Sequence, residues 1–250
     1  MAAPTRPLSA TLIKDRAAHP MSDNIRPTFV PPNGQHTARK RTDEPPHGTQ
    51  RIAAFSDAVF AIACTLLVLE FKVPHVQDRL SPGSLWLALE TVWPSFVAYI
   101  LSFWSILVAW AAHHRALDAL VGSSKAFLYA NGLLLLTVTF IPFPTAVLAE
   151  YIDTPQANIA VMFYSAAWLV VNVGFNVWWL SMFRPVRLLP PVSHATVKRV
   201  TIQIVSGLLV YACTAVISYW LPISALLLIL ASQVLWVVVS IEDEKPDALI

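Results

Sequence analysis

Long uninterrupted apolar stretches dominate the chain after residue 50. Charged side chains are nearly absent from them, whereas an amphipathic surface helix would carry polar residues at every third or fourth position. Runs of about 20 apolar residues, at 1.5 Å per residue, match the roughly 30 Å hydrocarbon core of a bilayer. The pattern predicts six membrane-spanning helices, with approximate bounds 52–71, 85–111, 126–149, 157–182, 200–219 and 222–241.

Prolines interrupt two of these spans. Pro94 lies near the start of the second span, and Pro142 and Pro144 lie within the third. Because proline has no amide proton and its ring collides with the preceding turn, we expect the proline pair to bend or end the third helix. The fifth and sixth spans are joined by a short turn at residues 220–222, which predicts a tight antiparallel hairpin.

Residues 1–50 have a different composition, with eight prolines and no sustained apolar run. Such a segment cannot bury enough apolar surface to offset its ordering entropy, so we predict a disordered tail. It has no apolar core typical of a secretory signal peptide, and Met21 is an alternative start to Met1. Residues 51–241 would form the membrane domain, and 242–250 a short C-terminal tail.

Composition supports this assignment. The chain is 56% hydrophobic and 13% charged, and its mean hydropathy is +0.59. Soluble domains have about a quarter charged residues. We therefore predict an all-α, polytopic integral membrane protein.

The distribution of charge predicts its orientation. With six spans both termini lie on one side, and that side receives fifteen of the 17 Lys and Arg residues, leaving Lys72 and Arg79 for the other. Basic residues are enriched on the cytoplasmic side of membrane proteins. We expect both termini to be cytoplasmic.

Ionisable side chains inside the spans are few. Asp57 lies one to two turns into the first span, directly after Ser56. A carboxylate at that depth costs several kcal/mol unless it finds donors or water. We expect both residues to bond another helix or to lie at a wet cytoplasmic mouth.

Helical geometry separates two faces of this first helix. Its bulky residues fall on one line, flanked by Thr65: Phe55, Ile62, Leu66 and Leu69. Spacing alone favours lipid contact or core for this stripe. A second face carries smaller residues beside the carboxylate and predicts helix packing: Asp57, Ala61, Cys64 and Val68.

Further polar residues lie near the cytoplasmic ends of the next two spans. His113 and His114 follow Trp110 in the second, and Asn131 lies in the third. Adjacent histidines point about 100° apart on a helix, so one metal cannot bind both comfortably, and we expect no metal. We expect His113 to bond the Ser56–Asp57 region, with Asn131 in the same cluster.

Several function classes lack their motifs. The chain has no Thr-Val-Gly-Tyr-Gly filter, which excludes selectivity by the usual carbonyl rings. It has no Walker A lysine, no His-Glu-x-x-His and no nucleophile elbow, so we do not expect an enzyme. We likewise expect no cofactor and no nucleic-acid partner.

The start of the first helix, Arg51-x-x-x-Phe55-Ser56-Asp57, resembles the signature of the transmembrane protein 175 potassium-channel family. The resemblance covers about 51–241 and continues in three further places: Trp110-Ala111-Ala112-His113, Asn131 and Ile141-Pro142-Phe143-Pro144.

This resemblance implies a potassium-preferring channel without a conventional filter loop, and a homotetramer of six-helix subunits in a bacterial inner membrane. The first helix would line the pore, with potassium as the permeant ion. Ile62, Leu66 and Leu69 would form a hydrophobic constriction, and Thr65 would influence selectivity. A structural polar network would comprise Arg51, Phe55, Ser56, Asp57, Trp110, His113 and Asn131.

The sequence leaves two alternatives to a potassium channel. A secondary transporter or proton-conducting pathway would use Asp57 and His113 as relay groups. An intramembrane enzyme would use the His113–His114 pair, although a nucleophile and further metal ligands are not evident in the sequence.

Overall fold

The computed structural model describes residues 47–74, 83–118, 120, 122–183 and 194–243. In this part of the chain the regular structure is entirely helical. A short 3-10 helix, Leu67–Glu70, extends the first of eight α-helices, which are α1 His47–Leu66, α2 Ser84–Glu90, α3 Trp93–Asp118, α4 Lys125–Thr139, α5 Pro142–Tyr151, α6 Ala157–Ser181, α7 His194–Ile217 and α8 Pro222–Asp243.

Six helical stretches in the described residues are long and apolar enough to cross a bilayer, which confirms the predicted all-α membrane architecture. They are Thr49–Glu70, Trp93–Asp118, Lys125–Tyr151, Ala157–Ser181, Val200–Ile217 and Pro222–Val239. The predicted tails lie outside the described residues, apart from 47–50 and 242–243, which belong to α1 and α8.

The second span begins later than predicted. Residues from 84 to 90 form the separate helix α2, which Gly83 starts in a left-handed conformation with φ of 84°. The membrane helix α3 starts afresh at Trp93, with Pro94 as its second residue. Proline is accepted in a first turn, where an amide proton is not needed, but not inside a helix. The helix then continues to Asp118, seven residues past the predicted end.

The third span is broken, as its proline pair predicts. α4 ends at Thr139 and α5 begins at Pro142. Ile141, between them, is fully buried. The Thr145 hydroxyl donates to the Ile141 carbonyl at 2.9 Å and lies at hydrogen-bond distance, 2.7 Å, from Ser102 Oγ, so the bend is tied to α3.

One face of α1 packs against the bundle, and it is not the predicted one. Ser56, Phe60, Ala63 and Leu67 are buried, at the i, i+4, i+7 spacing of a single helical line. Of the predicted packing residues, Val68 is 53% exposed, and Ala61 is also exposed. Ser56 rather than Asp57 enters the contact, and moving one residue along a helix rotates the buried line by 100°.

The far end of α1 is held to α5. Lys72 Nζ lies 2.5 Å from Glu150 Oε2, with both side chains largely exposed. This hydrogen bond and the carboxylate charge raise the pKa of Lys72. An exposed pair of this kind contributes little to stability.

Gly207 on α7 makes room for the Asn172 side chain of α6. A Cβ at this position would lie 2.3 Å from Asn172 Nδ2, which is well inside van der Waals contact. Gly132 on α4, by contrast, faces open space.

We predict that Gly207→Ala destabilises the protein by about 1–3 kcal/mol, because the added methyl group overpacks the seam between α6 and α7. Thermal unfolding of the detergent-solubilised protein measures the change. Gly132→Ala is the matched control and should be neutral or stabilising, since alanine favours helix. Equal melting temperatures for the two variants would contradict the prediction.

Candidate functional site

Asn131 joins three helices through its amide. Its Nδ2 donates to Ser56 Oγ on α1 at 3.0 Å. Its Oδ1 lies 2.9 Å from His113 Nε2 on α3. Because a carbonyl oxygen only accepts, His113 must carry its proton on Nε2. All three side chains are at most 2% exposed, so this chain of bonds is closed to solvent within the protomer.

Aromatic rings enclose the His113 imidazole. It stacks on Trp178 of α6, with ring centres 4.5 Å apart. Phe60 of α1 lies at 5.3 Å and Phe175 of α6 at 6.5 Å. Large rigid rings hold the imidazole in one orientation, so His113 ties α1, α3, α4 and α6 into a single polar and aromatic contact.

Asp57 belongs to a second, more open cluster. The indole Nε1 of Trp110 donates to Asp57 Oδ1 at 2.8 Å. His114 stacks on Trp110 at 5.2 Å, and its Nδ1 lies 3.5 Å from the same carboxylate oxygen. Its Nε2 lies 3.5 Å from Asp118 Oδ2. The Asp57 and His114 side chains are 36% and 39% exposed, so this cluster is not closed within the protomer as the Asn131 cluster is.

Five of the seven residues assigned to the polar network therefore make hydrogen bonds across helices, in two separate clusters. Arg51 and Phe55 do not join them. Both are exposed, Phe55 to 63%, and no hydrogen bond or ion pair joins Arg51 to another described residue.

The structure separates the two groups of the predicted relay. His113 does not bond Asp57; it faces Asn131, and His114 is the histidine beside the carboxylate. The pairing of Trp110 with His114 can be read from the sequence, because the two residues are four positions apart and therefore share a face of α3.

The predicted constriction residues lie on the uncovered side of α1 and of the 3-10 helix that extends it. Ile62 is 54%, Leu66 38% and Leu69 72% exposed. Thr65 is also exposed, and its hydroxyl donates to the Ile62 carbonyl at 2.9 Å. The hydroxyl proton is thus used within the helix, which leaves the oxygen lone pairs outward.

Sequence reasoning overlooked a buried amide in the sixth span. Gln233 is 1% exposed, and its Nε2 donates to Ser105 Oγ at 2.6 Å and to Tyr211 Oη at 3.3 Å. A search for ionisable residues misses uncharged amides. Glutamine in the middle of an apolar span is nevertheless a signal, because its amide must find partners there.

Comparison with known proteins gives a consistent set of relatives. The family model described as "Endosomal/lysosomal potassium channel TMEM175" matches residues 51–142. Potassium channel Cha6605_3372 of Chamaesiphon minutus is 51% identical over 131 residues, which cover 52% of this chain and 64% of that protein. Potassium channel B446_29190 of Streptomyces collinus is 37% identical over 171 residues, 68% of this chain and 82% of that protein.

A solved structure and a vertebrate relative extend the comparison. The crystal structure of a lysosomal potassium-selective channel TMEM175 homolog from Chamaesiphon minutus has a TM-score of 0.65 at 39% identity, and the match covers 79% of this chain and 99% of that one. The endosomal/lysosomal proton channel TMEM175 of Bos taurus is 28% identical over 187 residues, 69% of this chain and 39% of that protein.

We predict that Asn131→Ala lowers the stability of the folded protein by about 1–3 kcal/mol, because Ser56 and His113 both lose a partner in a water-free site. Thermal unfolding in detergent measures the loss. Thr139→Ala is the control, since it removes only an exposed bond within the same helix. The prediction is wrong if the two substitutions lower the melting temperature equally.

Proposed function

Because the chain belongs to the TMEM175 family, we propose that it forms a potassium-conducting channel, assembled as a homotetramer around four copies of α1. We place it in a bacterial cell membrane with both termini in the cytoplasm, since fifteen of the 17 Lys and Arg residues fall on that side of a six-span topology. Bacterial relatives named potassium channels support the choice of ion.

The observation that carries the proposal is the uncovered stripe on α1. The helix is anchored from behind by Ser56, Phe60, Ala63 and Leu67, which fixes its rotation. A separate line of exposed aliphatic side chains then faces away from the protomer, centred on Ile62. A pore lined by this stripe is consistent with a chain that has no Thr-Val-Gly-Tyr-Gly filter sequence.

A second exposed line on α1 supports assembly with neighbouring copies. The side directly opposite the buried face carries mostly small residues, all exposed in one protomer: Ala54, Ala58, Ala61 and Val68. Small side chains let helix backbones approach closely in a membrane. This line meets the adjacent subunit along part of its length, so that the bulkier stripe turns toward the symmetry axis.

In this assembly four copies of Ile62, Leu66 and Leu69 form apolar rings. Rings of this kind close a pore by side-chain contact and by dewetting. Thr65 contributes hydroxyl oxygens one residue away. Selectivity for potassium would be modest, because side-chain rings do not replace the whole hydration shell as a carbonyl cage does.

We predict that Ile62→Ser increases current through the channel by about tenfold and reduces its potassium preference, since a hydroxyl group keeps the constriction wet. Bilayer recordings of purified protein, with reversal potentials under potassium and sodium gradients, measure both quantities. Ile202→Ser on α7 is a matched control, with 56% exposure against 54% for Ile62, and should behave as wild type. Currents unchanged by Ile62→Ser would place the constriction elsewhere.

Proton conduction is a second candidate function, and the open cluster favours it. Asp57, His114 and Asp118 form a line of titratable groups with 3.5 Å separations at an exposed end of α3. These three groups replace the Asp57–His113 pair as the candidate proton relay, because His113 is enclosed by aromatic rings and bonds Asn131. A vertebrate relative named as a proton channel adds support.

Two substitutions of Asp57 distinguish potassium conduction from proton conduction. Asp57→Asn keeps an oxygen acceptor for Trp110 but cannot exchange a proton, whereas Asp57→Leu removes the acceptor. If Asp57 is a positioning residue for α1, potassium current persists in the first variant and falls about tenfold or more in the second. Proteoliposome proton flux, measured alongside, tests the alternative: a relay role requires Asp57→Asn to abolish proton flux while sparing potassium current.

A further inference from the structure

A cavity of about 410 Å³ lies between α3, α6, α7 and α8. Trp110 and His114, which hold Asp57 on α1, form part of its wall. Its volume falls within the range of roughly 300–1,000 Å³ in which proteins bind small ligands. The proposed pore and the hydrogen bonds around Asn131 do not account for it.

The cavity extends along the axis of α3. On this helix its lining runs from Ser105 to Ala116, eleven residues or about 16 Å along the helix axis. Hydrogen bonds from Gln233 to Ser105 and Tyr211 close the inner end. Arg115 lies at the other end, toward the side of the membrane where α1 begins.

Its chemistry changes along this length. Most of the wall is indole and aliphatic, including Trp168, Trp179 and Trp236. Arg115 is the one Lys or Arg residue among the described lining residues, and Asp and Glu are absent from them. An apolar slot with a cationic mouth complements an alkyl chain that carries an anionic head.

We propose that this cavity holds one acyl chain of a membrane phospholipid, with the phosphate beside Arg115. The slot lies between helices that cross the bilayer, at hydrocarbon depth, so lipid is the amphiphile in immediate reach. The inserted chain packs against Trp110 and His114, which contact Asp57. Its presence supports the orientation of α1 from behind.

Native mass spectrometry of the full-length protein, extracted from membranes in mild detergent, tests the proposal. Wild type retains phospholipid. Val237→Trp places an indole inside the slot from α8 and should reduce the retained phospholipid about tenfold. Val238→Trp is the control, because Val238 is exposed, does not line the cavity, and carries the same change one residue away. Its retention should match wild type.

Three results would overturn the proposal. They are equal retention in both tryptophan variants, equal loss in both, or a bound species that is a free fatty acid or detergent rather than a phospholipid. If Val237→Trp fails to fold, Val108→Phe fills the slot from α3 and carries the same expectation. Phospholipid retention is measured without ion flux, so its outcome does not depend on whether the protein conducts potassium.

Discussion

A polar side chain inside a membrane helix is costly unless it finds a partner within the protein, and the Asn131 amide shows how much structure follows from this. An unbonded amide in hydrocarbon costs several kcal/mol. Asn131 uses both ends of its amide, on Ser56 and on His113. One residue on α4 thereby fixes the rotation of α1 and the depth of α3, and all other faces of α1 are determined once Ser56 points inward.

The same constraint sets the remaining contacts of the bundle. Ser102 joins α3 to the bend at α5 and lies 3.1 Å from the Tyr164 hydroxyl on α6. Gln233 joins α8 to α3 and α7. Individual hydrogen bonds between membrane helices average only about 0.6 kcal/mol. Here they matter for helix orientation. Each bond can form at one rotation of its helix, and other rotations leave the polar group without its partner.

Periodicity and composition predict the number of spans, the break at Pro142 and the hairpin before Pro222, because these depend on one helix at a time. They do not predict which residue of α1 enters the bundle. Ser56 and Asp57 are adjacent polar residues, and a choice between them rotates the helix by 100°. Only the position of Asn131 in space decides it. The pairing of Asp57 with His114 rather than His113 depends on the same rotation of α3.

The two clusters differ in what can act on them, and this difference gives α1 both a fixed and an adjustable attachment. Ser56, Asn131 and His113 are sealed, so solvent cannot compete for their bonds and the helix is held at that point. Asp57 is partly exposed, accepts a hydrogen bond from Trp110 and lies 3.5 Å from His114 Nδ1, and both of these partners line the cavity. A helix that moves should keep the sealed contact and change the open one. Since Ile62 lies five residues beyond Asp57, about 7.5 Å along the helix, a small tilt of α1 about the sealed contact changes the open cluster and moves the proposed constriction with it.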